Sequence, residues 1–244
     1  MSSRPLPRAI LFDLDDTLIR AYAQPAEAWT RLLTRFAVPL AAPDGAAIER
    51  LRAAVMEEAR AFWSDSEAAA RWRLDIPGAR RLSLRRALAR LGRPDEGLAD
   101  QVADAFTDMR REEYRLYPDA LATVDALRAA GVRLALITNG AAEPQRAKVE
   151  RFDLVARFDH IQIEGEFGAG KPEHRVYVHA LERLGVAPGE AWMVGDNPEW
   201  EVAAPQRLGM AGIFYDPDRQ GLPAGATHIA PDRTIHRLAD LIGG

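Results

Sequence analysis

Along much of the chain, short apolar runs alternate with amphipathic stretches. Runs at residues 9–12, 132–137, 158–163, 191–194 and 212–215 have the length of buried strands, with a weaker sixth at 227–230. From residue 119 onward, helical periodicity fills the gaps, at 121–130, 144–152, 172–184, 199–208 and 234–242. Gly131, Gly185 and Gly209 follow periodic segments, where a helix favours glycine at its C-terminal end. Steady strand–helix alternation predicts an α/β fold: a Rossmann-like parallel sheet with helices on both faces and its ligands beyond the carboxyl ends of the strands.

Residues 20–115 break that rhythm. They carry no convincing strand and read as helices at 26–36, 46–63, 80–91 and 97–114. In the second of these, Ile48, Leu51, Val55, Ala59 and Phe62 recur at helical spacing and form one apolar stripe. Such a block is too long for a connection between two strands. It predicts an inserted all-helical cap domain over 20–115, set over the ligand end of a core built from 1–19 and 116–244. No internal repeat or low-complexity tract interrupts either part.

Composition narrows the function classes. The 244 residues are 48% hydrophobic and 28% charged, with a formal net charge of -4. Nothing global therefore favours a nucleic acid polymer or an anionic membrane. The absence of cysteine excludes disulfides, thiolate nucleophiles and thiolate-bound zinc. The apolar run near the start is too short for a signal peptide or a membrane span, so the expected compartment is the cytoplasm.

The first strand runs into Asp13-Leu14-Asp15-Asp16-Thr17. On extended chain, Asp13 and Asp15 face the same side. Two buried carboxylates close together require a cation or a shared proton. An Asp-rich turn that merely caps the next helix is the alternative for this segment alone. An EF-hand fits poorly, because Leu18 stands where that loop needs glycine. Three later segments also fall at strand ends or at the start of the following element: Thr138-Asn139-Gly140, Lys171-Pro172 and Gly195-Asp196-Asn197. Together they offer a hydroxyl and an amide, an ammonium and a further carboxylate.

In this order, Asp13-x-Asp15-x-Thr17, Thr138, Lys171 and Gly195-Asp196 resemble the motifs of the haloacid-dehalogenase superfamily, in its helical-cap, phosphatase-like branch. The resemblance covers essentially the whole chain. It departs at Glu201, where many relatives carry a second Asp five residues after the GD aspartate; whether Glu201 touches a metal is left open.

The resemblance implies a magnesium-dependent phosphatase acting on a small phosphorylated metabolite. Asp13 would attack phosphorus to form an aspartyl-phosphate, and Asp15 would serve as general acid and then base. The Asp13 carboxylate, the Asp15 carbonyl and Asp196 would hold Mg2+. Thr138, Asn139 and Lys171 would bind the phosphoryl oxygens, with Thr17, Asn197 and Glu201 in support. The cap would close over the site and exclude water. A phosphomutase shares these core residues, and a catalytically silent binding protein is the alternative from another class. Dehalogenases generally lack the second Asp. Phosphonate-cleaving relatives use a cap lysine, and residues 20–115 contain none. The oligomeric state is not readable from the sequence.

Other signals carry less. Residues 165–171 nearly spell a Walker A loop, but Pro172 stands where Ser or Thr is required. The arginines between 71 and 90 read mostly as solvated helix faces, with one or two left to meet an anionic group. Trp29, Trp63 and Trp72 read as core residues, and the five histidines as structural or surface residues.

Overall fold

A computed structural model describes residues 5–22, 24–64 and 66–243. Residues 1–4 and 244, assigned to the core by the sequence reading, lie outside the described residues. The chain divides into two compact units, residues 1–20 with 115–244 and residues 21–114.

The first unit is built on a six-stranded parallel sheet. Its strands are β1 (Ala9–Phe12), β4 (Arg133–Thr138), β5 (His160–Ile163), β6 (Ala191–Gly195), β7 (Ala211–Tyr215) and β8 (Arg233–Ile235), in the order β5-β4-β1-β6-β7-β8. A separate antiparallel ribbon pairs β2 (Ile19–Arg20) with β3 (Arg115–Leu116), with Ile19 opposite Leu116. The sheet's helices are α6 (Ala120–Ala129), α7 (Ala142–Arg151), α8 (Glu164–Phe167), α9 (His174–Leu184) and α10 (Ala204–Arg207).

Side-chain alternation divides the core. Ala9, Leu11, Ala135, Ile137, Ala191 and Met193 pack on one face with Val176, Tyr177 and Leu181 of α9. Ile10, Phe12, Leu134 and Leu136 alternate onto the other face and are equally buried. The central strands β1, β4 and β6 are thus apolar on both sides, the pattern of a parallel sheet covered by helices.

The second unit holds α1 (Pro25–Arg35), α2 (Gly45–Ser64), α3 (Ser66–Trp72), α4 (Ile76–Arg90) and α5 (Glu96–Glu113). Asp75 and Asp95 cap α4 and α5 by accepting from the backbone N–H of Gly78 and Leu98, at 2.9 Å each. The expected stripe of α2 is realised in Ile48, Leu51, Val55 and Phe62, which are buried. Trp29 stacks on Phe106 with ring centroids 3.7 Å apart. Trp63, by contrast, is 42% exposed rather than a core residue. Arg81 and Arg85 pair at the surface with Asp104 and Asp100, whereas Arg80 lies over the Phe106 ring and donates to Thr107.

Two expectations near the C-terminus fail together. Residues 227–230 form no strand, and the sixth strand is β8 at Arg233–Ile235, overlapping the start of the stretch expected as helix. Pro231 follows the apolar run, and Ile235 supplies the buried anchor instead. Only a short 3-10 turn, Leu238–Leu241, remains of that helix. The expected helix over 199–208 is a π-helical turn, Pro198–Ala203, followed by α10.

Candidate active site

Parallel strands bring their carboxyl ends to one edge, and here that edge collects the residues singled out in the sequence. Asp13 follows β1 directly, and its N–H donates to the Val194 carbonyl of β6 at 3.0 Å. The turn beyond it closes with Leu18 and Ile19 both donating to the Leu14 carbonyl and with Asp16 left-handed at φ 59°. Aspartate accepts that conformation better than most residues.

Asp13 is held at both oxygens. Lys171 Nζ lies 2.5 Å from Oδ1, and the Thr17 hydroxyl donates to Oδ2 at 3.0 Å. Thr17 and Lys171 are fully buried and Asp13 is 7% exposed. Burial raises the Asp13 carboxyl above its ordinary range, against the pull of the Lys171 ammonium. Burial would lower the Lys171 ammonium, but the Asp13 and Glu201 carboxylates outweigh it and hold it above the usual lysine range.

Glu201 is the third member of this buried group. Its Oε1 lies 2.7 Å from Lys171 Nζ, an ionic contact off the hydrogen-bonding direction. Its Oε2 accepts from the Asn197 N–H at 2.8 Å. Burial pushes the Glu201 carboxyl up to about 7, with Lys171 opposing. The π-helical turn that carries Glu201 is tied down by Tyr177, whose hydroxyl donates to the Trp200 carbonyl at 2.6 Å. Gly195 makes room for it: a Cβ there would overlap Glu201 Cγ and lie 2.8 Å from its Cδ. Asn197 acts as a helix cap, accepting from Glu199 and Trp200 at 3.1 Å each.

Asn139 has a structural duty beside any ligand role. Its side chain exchanges two hydrogen bonds with the Lys171 backbone, donating to the carbonyl at 2.8 Å and accepting from the N–H at 2.7 Å. The loop carrying Lys171 is thereby fastened to the end of β4. Glu164, at the start of α8, accepts from the Gly140 N–H at 2.9 Å and braces the same turn.

Two further site residues were not foreseen. Lys148 of α7 places its Nζ 2.7 Å from both oxygens of Asp15. Gln145, one turn earlier, donates to Asp15 Oδ2 at 3.0 Å and to Thr138 Oγ1 at 2.5 Å. The sequence offered a metal or a shared proton as the answer to two close carboxylates. In the structure each has its own ammonium, Asp13 with Lys171 and Asp15 with Lys148. The available signal was that α7 has only Val149 as a large apolar residue, so its buried face had to be polar.

Asp196 differs from the others. Its carboxylate makes no hydrogen bond or ion pair among the described residues, and its pKa stands well above the ordinary value. Burial is the main cause, followed by the charges of Asp13, Glu201 and Asp16. Five carboxylates, Asp13, Asp15, Asp16, Asp196 and Glu201, thus share the site with two ammonium groups. The Asp196 carboxylate, set in this excess of negative charge, suits a hard divalent cation such as Mg2+. Among the described residues no cluster of three or more His, Asp or Glu side chains is arranged to hold a metal ion. No described helix is long and apolar enough to cross a membrane.

The chain is similar to several known proteins. The phosphoserine phosphatase of Thermus thermophilus is 38% identical over 143 residues, 59% of this chain. That alignment spans only 56% of the phosphatase. The glyceraldehyde 3-phosphate phosphatase of Methanopyrus kandleri is 29% identical over 206 residues, covering 84% of this chain and 82% of the relative. Among solved structures, a 2-haloacid dehalogenase from Pseudomonas syringae superposes with a TM-score of 0.61 at 29% identity, over 98% of this chain and 97% of that one. The family model described as haloacid dehalogenase-like hydrolase matches residues 7–209. With its motifs gathered at the carboxyl edge of a parallel sheet, the chain belongs to the haloacid dehalogenase-like hydrolases.

Proposed function

We propose that the protein is a magnesium-dependent phosphatase of small phosphomonoesters, working in the cytoplasm through an aspartyl-phosphate on Asp13. The observation that carries this reading is the Asp13 carboxylate, fixed by Lys171 and Thr17 next to the unpartnered Asp196. A nucleophile held at both oxygens loses little further freedom on the way to attack.

In the first half-reaction an Asp13 oxygen bonds to phosphorus as the bond to the alcohol oxygen breaks, and that oxygen takes a proton from Asp15. In the second, a water oxygen bonds to phosphorus, its proton goes to Asp15, and the bond to Asp13 breaks to release phosphate. Lys171, Thr138 and the Asn139 backbone face the charge on the phosphoryl oxygens. Mg2+ held by Asp13, Asp196 and the Asp15 carbonyl would supply charge neutralisation. Glu201 supports the reading indirectly, by sharing the Lys171 ammonium with Asp13.

Similarity to a 2-haloacid dehalogenase favours a second reading, attack of Asp13 on carbon. Asp15 argues against it, because that chemistry has no alcohol to protonate. The deciding experiment measures phosphate release from a panel of small phosphomonoesters, with Mg2+ and with chelator, alongside halide release from 2-haloacids. Magnesium-dependent phosphate release supports the proposal. Halide release without it would replace the proposal. Silence in both would leave a mutase or a binding protein.

A further inference from the structure

Gln145 and Lys148 are 3% and 5% exposed, although both belong to residue types that lose much rotamer freedom when buried. They lie one turn apart on α7 and converge on the same carboxylate. Lys148 Nζ is 2.7 Å from each oxygen of Asp15. Gln145 Nε2 has two hydrogens and three acceptors in reach: Thr138 Oγ1 at 2.5 Å, Asp15 Oδ2 at 3.0 Å and the Asn139 carbonyl at 3.0 Å.

Asp15 needs such support. It sits in a turn beyond the end of β1, next to the left-handed Asp16, where the six-stranded sheet no longer holds it and a single bridge to Ile19 fixes only its backbone. The final torsion of an aspartate is broad, so backbone geometry alone does not set the plane of its oxygens. An ammonium seated across both oxygens and an amide on one of them define that plane. The amide also ties it to the end of β4, which carries Thr138. A proton donor and acceptor works only when aimed at the reacting oxygen to within a fraction of an ångström.

Resting on the phosphatase reading above, we propose that Gln145 and Lys148 are positioning residues, which aim the Asp15 carboxyl at the leaving-group oxygen without touching substrate. This separates them from the Asp13–Lys171–Glu201 group, which holds the nucleophile.

The test is steady-state kinetics of the full chain with Mg2+ on two phosphomonoesters, an aryl phosphate and an alkyl phosphate. The variants are Lys148→Met, Gln145→Leu and Lys148→Arg, each also combined with Asp15→Asn. An aryl leaving group needs little protonation and an alkyl one needs much. Lys148→Met and Gln145→Leu should lower kcat on the alkyl ester by about tenfold or more. The aryl-to-alkyl ratio should rise as it does in Asp15→Asn, with KM changed less than about threefold. Lys148→Arg, which keeps a cation for Asp15, should recover most of the loss. On the Asp15→Asn background, Lys148→Met should cost less than about twofold, because the group it acts through is gone. Equal losses on both esters, or losses that multiply with Asp15→Asn, would reduce the two residues to structural support and overturn the inference. If Lys148→Met does not fold, Gln145→Leu and Lys148→Arg carry the same comparison. A wild-type protein inactive on both esters would defeat the phosphatase reading, and this inference with it.

Discussion

Lys171 and Glu201 face each other across 2.7 Å with almost no exposure of either side chain, and this pair sets the acid–base character of the site's interior. Glu201 is held up to about 7, above its ordinary 4.5. A carboxyl whose folded pKa is raised binds its proton more tightly folded than unfolded. The stability it contributes is therefore present at low pH and lost as pH rises from about 5 through 7. Glu201→Gln removes that dependence. Thermal melts across pH 5 to 8 should show the variant gaining on the wild type as pH rises, levelling off above about 7. A constant difference would mean that Glu201 is ionised throughout.

Gly195 should tolerate no side chain. An added Cβ would overlap Glu201 Cγ and come within 3.0 Å of Asp13 Cβ. Both neighbours are buried and engaged, so neither yields cheaply. Gly195→Ala is expected to cost on the order of 1–3 kcal/mol and to depress activity further by displacing Asp13. Denaturant unfolding and kinetics on the same preparation check both halves.

Cation binding should be visible without catalysis. Asp196 has no partner among the described residues and its carboxyl is held well above the ordinary range by burial and neighbouring acids. A divalent cation bound there stabilises the folded state by mass action. Millimolar Mg2+ should raise the melting temperature of the wild type, and chelator should abolish the rise. In Asp196→Ala the magnesium shift should disappear.

Asp13→Asn keeps the shape of the nucleophile and removes its charge. Because burial already disfavours that charge, the melting temperature should stay within a few degrees of the wild type. Turnover should fall by roughly 10⁴-fold or more. Wild-type-like activity would remove Asp13 from the nucleophile's position.

The alternation of β1, β4, β6 and β7 with helices was legible because buried parallel strands are apolar on both sides and need no partner to be recognised. Asp13, Thr138 and Asp196 were legible as a group because they stand at the ends of β1, β4 and β6, and Lys171 because it opens the segment before α9. β8 was not, since three residues with one buried apolar side chain, Ile235, give no periodicity. Gln145 and Lys148 were hidden for a different reason. On a helix as polar as α7 they look like solvated face, and only the fold brings that face against Asp15. The capping role of Asn197 and the clamp made by Asn139 depend on backbone partners that residue type alone does not reveal.

The ribbon of β2 and β3 bears on how this chain could have acquired its second unit. Arg20 and Arg115 are opposite one another in the antiparallel register, so the points where residues 21–114 depart and return are about 5 Å apart. To the sheet, that excursion is equivalent to a tight hairpin closing the same two strands. An independently folding segment whose termini adjoin meets the same closure condition. The nucleophile's surroundings and the identity of the inserted domain can therefore diversify separately, the one by substitution and the other by exchange.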